Sequence, residues 1–241
     1  MEKKRMRIFG LTTLCFAILA FSLTGCSKAG SSTTISSVTY LTVIHAAPYT
    51  SAATVYLNDT LITQTTGIAP GTYSPKYGTV KPGSYTTKFE KAGTDSILDQ
   101  LPASSFDTLS FYTLLLYNDP INKAAHVVKI NDDFSAVSNN GNAYYRFFNL
   151  APDCPNVNLY FNGNLAVSNR TPADNAINSL YNAFIPIQSG NYVVSVKDAN
   201  TDSLLIQANA LQMTSGSPYT VWITGTKSQN NLAINILPAQ Y

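Results

Sequence analysis

Cysteine and histidine are scarce in this sequence, and their scarcity excludes several kinds of site. The 241 residues contain three cysteines, at 15, 26 and 154, and two histidines, His45 and His126. No two of these residues have the spacing of a zinc motif. If the first two cysteines are removed or modified, as argued below, Cys154 has no cysteine partner for a disulfide. The sequence therefore predicts no cofactor, no His/Cys metal centre and no internal disulfide.

Acidic residues and catalytic motifs are also sparse. Glu90 is the only glutamate after residue 25, and nothing pairs it with a second acid as glycoside hydrolysis requires. Asp132 and Asp133 lack the ligand pattern of a calcium loop, so we interpret them as solvated charges. The sequence contains neither a Gly-x-Ser-x-Gly elbow nor a phosphate-binding glycine loop. We therefore expect a protein that is not an enzyme.

The longest apolar run lies at the start of the chain and is too short to span a membrane. Four basic residues among the first seven precede an apolar run at 9–23, about 15 residues against the roughly 20 that a spanning helix needs. This is the pattern of a secretory signal. The run ends in "LTGC", which resembles the lipobox of bacterial lipoproteins. The resemblance implies that 1–25 is a signal peptide and that Cys26 carries lipid, palmitate included; an ordinary signal with a chance cysteine is the alternative.

The mature chain would begin with a tether and would have little net charge. Residues 26–38 comprise the lipidated cysteine and a flexible, small polar segment. Beyond residue 25, 11 Lys and Arg face 12 Asp and Glu, which argues against nucleic acid as a partner. The expected partners are the membrane, through the lipid, and an envelope protein or a glycan. No aspartate follows Cys26, so the expected location is the cell envelope, at the outer membrane, with its side left open.

The remainder of the chain contains an internal repeat. The stretch "VIHAAPYTSAATVYLND" (43–59) aligns with "FFNLAPDCPNVNLYFNG" (147–163) at an offset of 104 residues. Later segments align at an offset of 107, with Tyr85 on Tyr192 and Tyr112 on Tyr219. Fixed self-similarity is strong evidence for repeated domains. We predict repeat 1 at 39–130, a linker at 131–142 and repeat 2 at 143–241.

Hydrophobic periodicity within each repeat is two rather than 3.6, which indicates strands. Tyr85, Thr87 and Phe89 alternate with Thr86 and Lys88, and Tyr192, Val194 and Val196 repeat this pattern in the second repeat. Further predicted strands in the first repeat are 40–45, 53–57, 97–101, 109–117 and 125–130, and those in the second are 144–149, 157–161, 204–209, 219–224 and 232–237. Asn58-Asp59 and Asn162-Gly163 are typical hairpin turns. No stretch shows a convincing amphipathic helix. The sequence predicts an all-β protein with two tandem immunoglobulin-like or prealbumin-like β-sandwich domains.

Each repeat opens with a recognisable motif. His-Ala-x-Pro, then Tyr-x-Asn, then Pro-Gly-x-Tyr in the first repeat resembles the bacterial envelope family called domain of unknown function 4397, whose opening motif resembles "HASPDAPAVDVYVNG". The resemblance implies a secreted or lipid-anchored protein, with no established activity to transfer. Asn149 stands at the position of His45 and cannot act as a general base. We therefore predict a structural role for the motif residues His45, Pro48, Tyr56 and Asn58 and their counterparts Asn149, Pro152, Tyr160 and Asn162.

Two further features bear on function. Asp-Ser/Thr-apolar triplets with hydroxyls at Thr60, Ser96, Thr108 and Ser203 resemble the acceptor motif of a general O-glycosylation system of the Bacteroidota; the alternative is that Asp and Ser/Thr favour a turn and that an apolar residue opens the next strand. Tyr49 and Tyr181 are predicted loop aromatics. We expect a binding or interaction protein; the alternatives are a glycan-binding accessory lipoprotein, through such aromatics, and a structural subunit of an envelope assembly.

Overall fold

The computed structural model describes residues 37–174 and 179–239, and these described residues belong to one compact unit. The predicted signal peptide, Cys26 and all of the predicted tether except its last two residues lie outside the described residues. Across the described ranges, no helix has the length and apolar character that crossing a membrane requires.

The first half of the chain forms nine strands within the described residues, all separated by turns or loops. These are β1 (Thr39–His45), β2 (Ala53–Leu57), β3 (Thr60–Leu61), β4 (Thr72–Tyr73), β5 (Gly78–Val80), β6 (Gly83–Lys91), β7 (Ile97–Phe106), β8 (Phe111–Asn118) and β9 (Ala125–Asn131).

The described part of the second half forms eight strands and one turn of 3₁₀ helix at Ser179–Asn182. The strands are β10 (Asn142–Asn149), β11 (Val157–Phe161), β12 (Asn164–Arg170), β13 (Ile185–Gln188), β14 (Gly190–Asp198), β15 (Leu204–Met213), β16 (Pro218–Thr224) and β17 (Ala233–Pro238).

The two halves share one topology. The first forms sheets of order β4-β1-β8-β9, with β5 also paired to β1, and β3-β2-β6-β7; the second forms β13-β10-β16-β17 and β12-β11-β14-β15. In both halves the first long strand pairs in parallel with a late one, β1 with β8 and β10 with β16, and the remaining pairs are antiparallel. The predicted all-β sandwich fold is confirmed.

A separate core fills each sandwich. Alternate residues of β1 and β8 face those of β2 and β6, so that Val43 and Leu114 pack with Val55 and Phe89 in the first half. Such interdigitation between two sheets is the usual construction of a sandwich. In the second half the corresponding core contains Phe147, Val157, Val196 and Val221, among others.

A third core lies between the halves and contains residues from both. Its members are the side chains of β1, β8, β10 and β16 that point away from the sandwich interiors, with contributions from β9, β17 and adjacent loops: Ile44, Ala46, Leu115, Tyr117, Ile130, Phe148, Leu150, Ala173, Trp222 and Leu237. Most are counterparts in the repeat, such as Leu115 with Trp222. The sheets of β1 and β10 are therefore covered on both faces, and the halves share apolar surface in addition to their own cores.

The shared core has the pattern of a two-fold symmetric interface. The Tyr73 hydroxyl, in β4, donates to the carbonyl of Ile236, in β17, over 3.0 Å. The Thr224 hydroxyl, at the end of β16, donates to the carbonyl of Ala46, just past β1, also over 3.0 Å. At the interface β4 therefore lies near β17, and β1 lies near β16, so the strand order of one sheet is reversed relative to the sheet that it faces. The same reversal occurs across the two-fold axis of a homodimer, where one surface patch contacts its own copy.

Strand bounds differ from the predictions mainly at the ends of elements. The predicted strand at 109–117 begins instead at Phe111, because Leu109 has a φ of 57°, which is incompatible with a strand. The sequence analysis predicted none of the short strands β3, β4, β5 and β13, nor β12. These follow turns in which local residues, rather than hydrophobic alternation, determine the pairing.

Candidate functional site

The motif loop that contains His45 is a closed hydrogen-bonded structure. His45 is fully buried at the end of β1. Its Nδ1 accepts the backbone N–H of Ala47 over 3.3 Å, and its Nε2 lies 3.0 Å from the carbonyl of Ser51 and 3.2 Å from the Thr50 hydroxyl. Because Nδ1 accepts, the ring proton belongs on Nε2 and is donated within the loop. Burial lowers the pKa of His45, although the bond to Ser51 partly offsets this, so the environment of the ring favours its neutral form.

Asn149 makes the same two kinds of bond in the second half. Its Oδ1 accepts from the N–H of Ala151 over 3.4 Å, and its Nδ2 donates to the carbonyl of Pro155 over 3.4 Å. Ala151 and Pro155 each lie 104 residues after the corresponding partners of His45. An amide therefore replaces an imidazole with the acceptor and the donor in equivalent places.

The motif asparagines also have matching contacts. Asn58 and Asn162 have φ values of 53° and 50°, in the left-handed region that asparagine tolerates. The side-chain oxygen of Asn58 accepts from the N–H of Thr86 over 3.0 Å, and that of Asn162 from the N–H of Val193 over 2.7 Å. Each asparagine thereby joins a hairpin turn to the neighbouring strand.

The motif prolines lie in loops, and the motif tyrosines lie on the outer faces of strands. Pro48 and Pro152 lie in the loops after β1 and β10. Tyr56 and Tyr160 are half-buried, on the outer face of β2 and β11. The Tyr160 hydroxyl donates to the exposed carboxylate of Asp202 over 3.2 Å.

Asp132 is not a solvated linker charge; that interpretation is wrong. Its side chain is fully buried, and its Oδ1 lies 2.6 Å from Nη1 of the equally buried Arg146. The hydroxyls of Tyr77 and Thr113 each donate to the other oxygen over 2.6 Å. Arg146 also donates from Nε to the Thr220 hydroxyl over 2.9 Å. The network joins the halves, because Arg146 and Thr220 come from the second and the other residues precede it.

Next to this network is an open cleft of about 320 Å³ between the start of β8 and the chain that follows β9. Leu109, Phe111 and Phe134 provide apolar surface, and Asp133 is exposed at its lip. The N–H of Ser135 donates to the Asp133 carboxylate over 2.8 Å. This and the Ser135 side chain lower the pKa of Asp133, so the cleft carries a negative charge.

Leu109 differs in character from its counterpart in the second half. Both Leu109 and Gly216, 107 residues later, have a positive φ, 57° and 74°. Glycine adopts this conformation without a steric penalty, whereas leucine does not. Leu109 is nevertheless 59% exposed, so core packing does not explain its presence.

Three surface tyrosines, Tyr49, Tyr56 and Tyr160, each have a lysine ammonium near the ring. Tyr49 is 40% exposed, and Lys123 Nζ lies 5.4 Å from its ring centroid. The distances are 5.2 Å from Lys88 to Tyr56 and 4.8 Å from Lys197 to Tyr160. Tyr181, predicted to be a loop aromatic, is half-buried in the 3₁₀ turn and packs on the guanidinium of Arg170 at 3.5 Å.

The Asp-Ser/Thr-apolar triplets all lie at the surface. Thr60, Ser96, Thr108 and Ser203 are exposed. The apolar residues that follow the last three of these are also exposed, Ile97 at 52%, Leu109 at 59% and Leu204 at 57%. Ile97 and Leu204 are the first residues of β7 and β15, as the turn alternative expects, and Leu109 lies two residues before β8. Their exposure also leaves these residues accessible to a modifying enzyme.

No group of three His, Cys, Asp or Glu side chains is placed to hold a metal ion among the residues that the structure describes. Cys154 is a buried thiol, and burial raises its pKa to about 12. The fold and these sites define a β-sandwich protein in which His45 and Asn149 are enclosed in structural hydrogen bonds and the Cys154 thiol is buried.

Comparison with known proteins gives the family. Residues 39–160 match the family described as "Domain of unknown function (DUF4397)", and the chain belongs to it. No curated protein matches the sequence. One solved structure with limited likeness is described as the crystal structure of CBMbc (family CBM26) from Eubacterium rectale Amy13K in complex with maltoheptaose. It is 11% identical, the alignment covers 82% of this chain and 96% of that one, and the TM-score is 0.25, which is too low to support any functional argument.

Proposed function

We propose that this chain is a lipid-anchored interaction protein of the bacterial cell envelope, without catalytic activity. The lipid would be attached at Cys26, residues 26–38 would form the tether, and the outer membrane would hold the anchor. Each half, at 39–130 and 143–241, would be a copy of the family domain, with 131–142 between them. The shared strand order of the halves supports this division, although the family match ends at residue 160.

The observation that carries the non-catalytic proposal is the equivalence of His45 and Asn149. Both nitrogens of the histidine are occupied by loop hydrogen bonds, and asparagine makes matching bonds in the other half. A general base needs a lone pair available to substrate and a pKa near the working pH. His45 offers neither, since its ring is buried and its pKa is lowered.

The proposal is tested by cross-linking intact cells of the native host, purifying the lipidated protein and identifying its partners by mass spectrometry. We expect a stoichiometric envelope protein, whose recovery is reduced when Cys26→Ser removes the anchor. Recovery of the protein alone, with wild-type and variant indistinguishable, would contradict the proposal. The variant would also have to leave the detergent phase in Triton X-114 partitioning.

Glycan binding is the second candidate, favoured by the exposure of Tyr49. Stacking on a sugar requires an open ring face, whereas Lys123 lies over this one. The lysine would have to move, and then could donate to sugar hydroxyls. Binding on a glycan array that disappears in Tyr49→Ala but persists in Tyr181→Ala would favour this function. A structural envelope subunit would instead appear as a regular assembly in the cross-linked sample.

We also propose O-glycosylation at Ser96, Thr108 and Ser203, and less strongly at Thr60. The exposed apolar residue after each of the first three supports recognition by a modifying enzyme. Thr60 lies in β3 and is followed by the half-buried Leu61, which makes it a poorer acceptor. Intact-mass spectra of protein from its native host should show sugar increments that decrease by one in each of Ser96→Ala, Thr108→Ala and Ser203→Ala. An unmodified mass would refute this.

A further inference from the structure

The cleft beside Leu109 is a place where the two halves differ although their backbones agree. The cleft lies between the start of β8 and residues 131–135, which lead from the first half into the second. Its position corresponds in the second half to the chain around Gly216 and the end of β17. Since the repeat supplies the same strands in both places, the sandwich fold alone does not require the side chains that line this cleft.

Leucine is an unfavourable residue for the backbone conformation at position 109. Its left-handed backbone, with a φ of 57°, is strained for leucine, and Gly216 shows that glycine serves at the equivalent position. Its 59% exposure places hydrocarbon in water at the lip of the cleft. Strain at an exposed position where a better residue is known to fit is a reason to look for a ligand contact.

The carboxylate at the lip of the cleft has no basic side chain of the described residues paired with it. Two adjacent aspartates reach this region, but the carboxylate of Asp132 is neutralised by Arg146 inside the protein. The Asp133 carboxylate is exposed, and no Lys, Arg or His of the described residues forms an ion pair with it. The cleft therefore combines one negative charge with the apolar surface of Leu109 and with those parts of the Phe111 and Phe134 rings that line it. One face of Phe111 is stacked on Tyr40, and the two phenylalanine rings meet edge to face.

We propose that this cleft binds an alkylammonium group, presented as a lysine side chain by a partner protein. An ammonium ion is attracted both by a carboxylate and by aromatic rings, and the methylenes of a lysine suit the hydrocarbon of Leu109. The proposal rests on the interaction function proposed above and names the chemistry that the partner would present. A cleft of about 320 Å³ is at the small end of ligand sites, which accommodates one side chain.

The test uses the full-length protein in detergent, produced in a host that does not glycosylate Thr108, so that any effect of Leu109 on binding is separate from its effect on modification. The probe is N-acetyl-lysine methylamide, and the uncharged control is N-acetyl-norleucine methylamide. Ligand-observed NMR should show saturable binding of the lysine derivative at millimolar concentration, with the norleucine derivative at least about fivefold weaker. Higher salt should weaken the lysine derivative, because screening reduces its attraction to an exposed carboxylate.

Three variants distinguish the cleft from the rest of the surface. Asp133→Asn and Leu109→Gly should each weaken the lysine derivative at least about fivefold, whereas Asp59→Asn, which removes an exposed aspartate elsewhere, should leave it unchanged. Leu109→Gly has to retain wild-type thermal stability, so that its effect on binding is not due to unfolding. Equal binding of the two derivatives, unchanged binding in Asp133→Asn, or no saturation up to about 50 mM would overturn the proposal. If that happened while cross-linking still recovered an envelope partner, only the cleft would be rejected.

Discussion

Removal of the Arg146 guanidinium should destabilise the whole protein, because it leaves a buried carboxylate without its countercharge. The substitution is Arg146→Met, which keeps a long apolar side chain over the rings of Phe148 and Phe184, where the guanidinium now lies at 5.4 and 4.7 Å. Asp132 would keep the hydroxyl donors Tyr77 and Thr113 but would lose the charge-assisted bond at 2.6 Å.

The expected loss is about 3 kcal/mol in the free energy of unfolding. Breaking a fully buried ion pair by removing one partner typically costs about 3–5 kcal/mol, and the two remaining hydroxyl bonds favour the lower end. The double variant Arg146→Met/Asp132→Leu removes both charges but also removes the acceptor of the Tyr77 and Thr113 hydroxyls, so it should recover only part of the loss. Lys197→Met, which breaks an exposed pair with Asp202, should have no measurable effect.

Urea unfolding followed by two spectroscopic signals measures the loss of unfolding free energy and tests whether the two halves unfold together. Trp222 is the only tryptophan, is fully buried and lies between the halves, so its fluorescence reports their separation, while far-UV circular dichroism reports the strands. The two transitions should coincide in wild type and move together in Arg146→Met. A loss below about 1 kcal/mol, which is ordinary for an exposed pair, would refute the reasoning, and so would a fluorescence change at lower urea with the strands intact.

Two further substitutions test the motif loop and the cleft. His45→Asn should fold, because asparagine makes the corresponding bonds in the second half. Because burial lowers the folded-state pKa of His45, wild type should lose stability as the pH falls below about 6.5, by at most about 1.4 kcal/mol per pH unit. The difference between wild type and His45→Asn should therefore change between pH 7 and pH 5; a constant difference would contradict this. Leu109→Gly should leave stability unchanged or raise it by up to about 1 kcal/mol, whereas Leu165→Gly, similarly exposed but in an ordinary strand conformation, should lower it by about 0.5–1 kcal/mol. Equal losses in the two glycine variants by thermal or urea unfolding would show that Leu109 is not strained.

The strands of each sandwich were predictable because two signals, the alternation of apolar residues and the internal repeat, indicate the same strands. The predicted bounds of β2 and β11 agree with the structure, and the offsets of 104 and 107 recur in the strand bounds. The insertion between the offsets falls between β11 and β14, where the second half has the longer strand β12 and the 3₁₀ turn.

The shared core was missed, although the sequence contains a signal for it. In β8 the run Leu114, Leu115, Leu116 is apolar without alternation, and "YYRFFNL" in β10 is similar. Continuous apolar runs are typical of strands buried on both faces, and the sheets of β1 and β10 are such sheets. The ion pair had no comparable signal, since Asp132 follows a strand in a polar stretch and Arg146 lies 14 residues later within another strand. Only the packing of the halves brings them together.

The duplication provides an internal control for separating structure from function. At His45 and Asn149 the residue changes but the hydrogen bonds are preserved, which fits a structural role for both. At Leu109 and Gly216 the backbone is preserved while the side chain changes from the one that suits it to one that does not. A β-carbon at Gly216 would lie 3.3 Å from the β-carbon of Asn139, so glycine also serves a close contact there. Leu109 has the same strained backbone but is exposed, so neither the backbone nor core packing accounts for a leucine at this position. The cleft at Leu109, rather than the motif with the histidine, is therefore where a specific activity of this protein should first be tested.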